Sequence, residues 1–185
     1  MMAVIKLISP ISDEDLLSLK AGDSVVLSGV VYTARDAAHG RLINALEKGE
    51  PLPVELRGQT VYYAGPSPTP PGRPCGAIGP TTSMRMDSFT PQLLRYGVRA
   101  LIGKGDRNQA VEQALRENGA VYFAAIGGCA AYMAACVKKL EVVAYEDLGT
   151  ESIKRLEVQD MPLTVAIDAH GGNAYQMAKT WEDAK

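Results

Sequence analysis

Runs rich in β-branched and aromatic residues alternate with segments of helical period along most of this chain, and that alternation restricts it to α/β architectures. Strand-like runs fall at Val25–Thr33, Val61–Ala64, Arg99–Ile102, Val121–Ala125, Leu140–Tyr145 and Leu163–Ile167. Helical patterns fall at Ala37–Glu47, Pro91–Tyr96, Asn108–Glu117, Cys129–Val137, Glu151–Leu156 and Asn173–Ala184. The part from Arg99 onward reads as the most regularly parallel, whereas Pro51 and Pro53 interrupt a less regular first part. A mixed sheet with helices is therefore expected rather than a doubly wound one. No repeat or shift of composition divides the 185 residues, so a single domain over residues 1–185 is expected.

One segment tests a water-soluble reading. No residue from Asn118 to Val137 is charged, which approaches the length of a membrane span. "AVYFAAI" favours a strand, Gly127-Gly128 breaks it and "CAAYMAACV" favours a small-residue helix, so the run reads as buried strand, tight turn and packed helix. No membrane association is expected. The N-terminal "MMAVIKLISP" has Lys6 and reaches Pro10 too early for a secretory signal. Three cysteines, outside any CxxC pattern, fit a reducing cytoplasm better than a disulfide framework.

A net charge of −2 gives no global attraction for nucleic acid or an anionic surface, so any anion site must be local. Phosphate-loop and dinucleotide fingerprints both fail: "IGKGDRN" lacks the glycine spacing and hydroxyl of the first, and Asn108 stands where the second needs a glycine. Cys75, Cys129 and Cys136 equal the number that holds a [4Fe-4S] cluster with an open iron. Cys129 and Cys136, seven residues apart on one helical pattern, would sit roughly 10 Å from each other, too far for one cluster. No metal ligands are assigned to this chain.

The polar residues that stand out lie at strand ends. Arg35 precedes a helical run in "TARDAAHGRL", with Asp36 as the expected N-cap. "GPTTSMRMD", residues 79–87, sets Thr81, Thr82 and Ser83 ahead of Arg85. The hydroxyls could cap a helix, but capping needs only one. Lys104 sits between two glycines. Just upstream, the proline-rich residues 65–74 read as a stiff loop bordering this region. Cations, hydroxyls and helix N-termini at the carboxyl ends of strands describe a receptor for a small multivalent anion. His39 is either a hydrogen-bonding residue of the interior or a catalyst.

Six motifs in register carry a resemblance. "RDAAHGRL", "AGP" at 64–66, "GPTTSMRMD", "IGKG" at 102–105, "GGCAA" at 127–131 and "IDAHGGNAY" at 167–175 resemble the β subunit, or C-terminal domain, of class I fumarate hydratase. They are also similar to the β subunit of L-tartrate dehydratase. The resemblance implies a swivelling β/β/α domain in three layers. It implies a cluster-bearing α subunit as partner, holding a [4Fe-4S] cluster that this chain does not hold, in an α2β2 assembly. It implies reversible hydration of fumarate to L-malate, with tartrate dehydration as the alternative. A non-catalytic dicarboxylate-binding or scaffold module is a further alternative, and a self-sufficient cluster protein another. On the same resemblance, Arg35, Arg85 and Lys104 bind substrate carboxylates and Thr81 is the proton-abstracting base. Thr82 and Ser83 bond carboxylate oxygens or support the turn, and His39, Asp168 and Asn173 are family-like positions without an assigned step.

Overall fold

A computed structural model of the chain describes residues 4–182. The end of the Asn173–Ala184 helical pattern and the first three residues lie outside that range. Seven strands, β1 (Ile5–Ser9), β2 (Ser24–Thr33), β3 (Thr60–Tyr62), β4 (Ala100–Gly103), β5 (Val121–Ala124), β6 (Val137–Ala144) and β7 (Ile153–Ile167), form one mixed sheet. Among the described residues six α-helices accompany them: α1 (Asp13–Ser18), α2 (Asp36–Glu47), α3 (Thr90–Tyr96), α4 (Gln109–Glu117), α5 (Ala130–Cys136) and α6 (Ala174–Glu182).

The strands run in the order β1-β2-β3-β4-β5-β7-β6, and β7 also pairs with β2. That extra pairing bends the sheet back on itself. β1 to β5 pair in parallel, whereas β7 lies antiparallel to β2, β5 and β6. The expectation of a regularly parallel C-terminal part is thus corrected: the parallel run extends from β1 to β5, and β6 and β7 are antiparallel. The helix read at Glu151–Leu156 is also corrected. A 3-10 turn covers Glu146–Glu151, and β7 begins at Ile153. The "IKRLE" pattern there becomes a strand because β2 and β6 pair with it on both sides, and tertiary pairing overrides local propensity.

Alternation on β3, β4 and β5 creates the layers. Tyr62, Ala100, Ile102, Val121 and Phe123 face one core, shared with Val25, Leu27 and Val31 of β2 and Leu156, Met161, Leu163 and Val165 of β7. Val61, Tyr63, Leu101 and Tyr122 face a second core with Leu42 of α2, Leu93 of α3 and Leu115 of α4. The order is therefore β2/β7 strands, central strands, then helices, which is the expected β/β/α layering. Each large side chain so buried contributes about 1.5–3 kcal/mol of transfer free energy. The uncharged Asn118–Val137 run resolves into β5, a turn with Gly128 at φ 82° and α5. Among the described residues no helix is long and apolar enough to cross a membrane.

Candidate functional site

Parallel pairing aligns the carboxyl ends of the strands. Thr33 is opposite Tyr62, Tyr62 opposite Ile102, and Gly103 opposite Ala124. The segments leaving these ends carry Arg35, Gly65, Lys104 and Gly127, which gathers them along one edge of the sheet. The loop containing Thr81 is drawn to it: Ala64 bridges Pro80 and Thr82 bridges Lys104, while Thr81 N–H donates to the Tyr63 carbonyl at 2.7 Å.

Ser83 ties that loop to β4. Its hydroxyl is buried and accepts the Lys104 N–H at 2.9 Å and the Tyr122 hydroxyl at 3.0 Å. A Cβ at position 103 would lie 1.9 Å from Ser83 Oγ, so only glycine lets the loop seat. Thr82 stands at the head of the 3-10 turn Ser83–Met86 without a side-chain cap. The hydroxyls of Thr81 and Thr82 make no hydrogen bond among the described residues, and Thr81 is half-buried.

Arg35 is 20% exposed and lies between two carboxylates, with Nη2 3.3 Å from Glu151 and 3.8 Å from Asp36. Neither contact is an aligned hydrogen bond, and Arg35 Nε is buried without a partner. Asp36 also receives Arg85 Nε at 2.8 Å, so it stands between the two arginines. It does not cap α2 as expected. Glu151 does so, accepting the Ala37 N–H at 2.9 Å, because Asp36 is itself the first helical residue. Lys104 is exposed, and its stem lies against Gly127. Gly65 brings the proline-rich loop against Arg35 and Thr150.

His39 lies wholly inside. Its Nδ1–H donates to the Arg35 carbonyl at 2.8 Å, and its ring packs edge-on against Tyr63 at 5.2 Å. Burial lowers its pKa to about 4, so it is neutral at pH 7 and supports the backbone of Arg35. Asp168 and Asn173 are not brought to this edge. Asp168 follows Ile167, which pairs with Tyr122 near the amino end of β5, and it receives the N–H groups of Ala21, His170 and Gly172. Asn173 accepts the Tyr175 N–H at the start of α6 and donates to Glu112.

Two participants escape sequence reasoning. Glu151 lies in the segment read as helix, and Arg107 looks like a charged loop residue. Arg107 is buried between the rings of Tyr63 and Tyr122, bonding Asp87 at 2.6 Å and Thr90 at 2.8 Å. It fastens the end of the Thr81–Arg85 loop to the segment after β4. Its partner Asp87 was visible only as the last letter of the motif.

The cysteines do not fit an iron–sulfur cluster. The Cys75 thiol donates to the Gly76 carbonyl and Cys136 to that of Asp160, and burial raises both thiol pKa values. Among the described residues no three His, Cys, Asp or Glu side chains group to hold a metal ion.

The sequence model described as Fumarase C-terminus matches residues 2–178. The chain belongs to that family. It is 39% identical over 156 residues to "Fumarate hydratase class I, aerobic" of Salmonella typhimurium, covering 83% of this chain and 27% of that protein. It is 35% identical to "Fumarate hydratase 2" of Leishmania major over 88% of this chain and 29% of that protein. It is 38% identical to "Putative L(+)-tartrate dehydratase subunit beta" of Methanocaldococcus jannaschii, over 90% of this chain and 88% of that one. The chain thus spans 27% to 29% of the length of these two fumarate hydratases, and nearly all of the tartrate dehydratase subunit.

Proposed function

We propose that this fumarase C-terminal chain is the β subunit, a single domain, of a [4Fe-4S]-dependent hydro-lyase that hydrates fumarate to L-malate reversibly. The observation that carries the reading is Arg35: a largely buried guanidinium that makes no aligned hydrogen bond among the described residues, sharing Asp36 with Arg85 at the strand ends from which Lys104 also leaves. A dicarboxylate meets that need, because planar guanidinium forks take carboxylates in pairs and a lysine adds a point charge. Arg35, Arg85 and Lys104 bind and orient the two ends of the substrate. Thr81, with an unpaired hydroxyl, moves the proton at the reacting carbon, and a carboxylate from the partner accepts the hydroxyl proton, since a threonine alone is a weak base. Thr82 bonds a carboxylate oxygen at the exposed rim, and Ser83 keeps Thr81 and Lys104 in register.

The cluster belongs to a separate α subunit in this reading, in an α2β2 assembly, because Cys75 and Cys136 donate to backbone carbonyls and, among the described residues, the three cysteines form no group that could hold a metal ion. Three free cysteines support work in a reducing cytoplasm. The Methanocaldococcus relative, matched over nearly its whole length, favours tartrate as a second substrate reading. Anaerobic mixing of this chain with its cluster-bearing partner tests these statements, with iron content and rates on fumarate, L-malate and the tartrate isomers measured. The expected result is an inactive, iron-free chain that hydrates fumarate on mixing. A large tartrate preference replaces the substrate; stoichiometric iron in the isolated chain, or malate binding with no partner-dependent activity, replaces the reading.

A further inference from the structure

We propose that Glu151 is a resident carboxylate of Arg35, which the incoming ligand carboxylate displaces, and that it thereby sets the affinity of this anion site; this rests on the dicarboxylate reading above.

Glu151 is held independently of Arg35. It lies near the end of the strap formed by residues 145–152, which packs on α2 through Arg41, whose guanidinium bonds Asp147 at 2.8 Å and lies over the Tyr145 ring. The far end of the strap is locked by Lys154. Its buried ammonium donates to the carbonyls of Gly149, Thr150 and Ser152 and to the Ser152 hydroxyl. One oxygen of Glu151 then takes the Ala37 N–H at the head of α2. The other is left 3.3 Å from Arg35 Nη2 without an aligned hydrogen bond. Exchanging this partner for a ligand carboxylate therefore loses Coulomb attraction but no hydrogen bond. By contrast, Arg85 gives Asp36 a hydrogen bond at 2.8 Å.

The charge balance points the same way. Arg35 and Arg85 face the carboxylates of Asp36 and Glu151, which leaves this pair of arginines no surplus positive charge for a ligand carrying two negative ones. Glu151 repels such a ligand at the arginine that binds it. Substituting Glu151→Gln keeps an oxygen for Ala37 and removes the charge.

The test is steady-state kinetics of the reconstituted α–β enzyme. Glu151→Gln is expected to lower KM for the dicarboxylate about threefold, the scale of a half-buried ion pair. Asp147→Asn, which removes a charge from the same strap on its Arg41 side, leaves KM in place. An unchanged or raised KM in Glu151→Gln, or an equal drop in both variants, overturns the proposal. Glu151→Ala replaces the glutamine variant should that one fail to assemble, with the same direction required. Wild-type turnover of a dicarboxylate is the separate check on the function itself: without it the hydro-lyase reading fails, whereas with it only the variant ratios bear on Glu151.

Discussion

Arg107 Nε lies 2.6 Å from Asp87 Oδ1, and both side chains are buried at the end of the turn that carries Arg85. The second Asp87 oxygen accepts the Asn108 N–H at 2.9 Å, so one carboxylate joins the Thr81–Arg85 loop to the head of α4. Removing one member of a buried pair strands the other charge, which costs about 3–5 kcal/mol. Asp87→Ala is expected to lower the unfolding free energy by roughly that amount. Denaturant titration of the isolated chain measures it, and a loss within surface-substitution range would show that the pair is not structural.

Arg35→Lys tests recognition rather than folding. The lysine keeps the charge but loses the planar fork. A fall of kcat/KM by about 10- to 100-fold is expected, the worth of one or two charge-assisted hydrogen bonds, with the denaturation midpoint little changed. Near-full activity in the reconstituted enzyme would remove Arg35 from the site.

Thr81→Val removes a hydroxyl that bonds nothing among the described residues, so folding should barely notice. Turnover should fall by about 100-fold or more, the contribution of general acid–base chemistry. Thr81→Ser should restore part of it. Equal rates for serine and valine variants would deny the hydroxyl a chemical role.

His39 makes stability depend on pH in a defined direction. Its folded pKa of about 4 lies below the ordinary 6.5 because burial disfavours the imidazolium. The unfolded chain therefore binds the extra proton between those values, and stability present above pH 6.5 is lost as pH falls toward 4. The slope contributed cannot exceed about 1.4 kcal/mol per pH unit. His39→Gln should be less stable at pH 7 yet flatter from pH 7 to 5. Parallel curves for both proteins, from denaturation at each pH, would assign the titration elsewhere.

Legibility of the chain followed the range of the interactions. Strands β2 to β5 and helices α2, α3 and α4 stand near the positions that periodicity indicates, because their cores are built from local alternation. β1 and α1 are absent from the sequence expectations, although β1 is longer than β3 and β4. The first four residues of β7, Ile153 to Leu156, fall in the Glu151–Leu156 pattern that reads as helix and become strand only through β2 and β6. Within the site, Arg35, Arg85, Lys104 and the hydroxyl run were visible as residue types at strand ends. Glu151 was not, since it approaches Arg35 from 116 positions along the chain. Nor was Arg107, whose burial follows from the two tyrosines that enclose it.

The residue sequence by itself determined the α/β class, the family motifs and the local surplus of anion-binding groups, all of which follow from neighbours a few positions apart. Tertiary structure alone decided that β7 folds back between β2 and β5, that Asp36 stands between two arginines and that a distant glutamate caps α2. Those outcomes depend on packing and electrostatics between segments that meet only once the sheet has closed, and no local pattern encodes them.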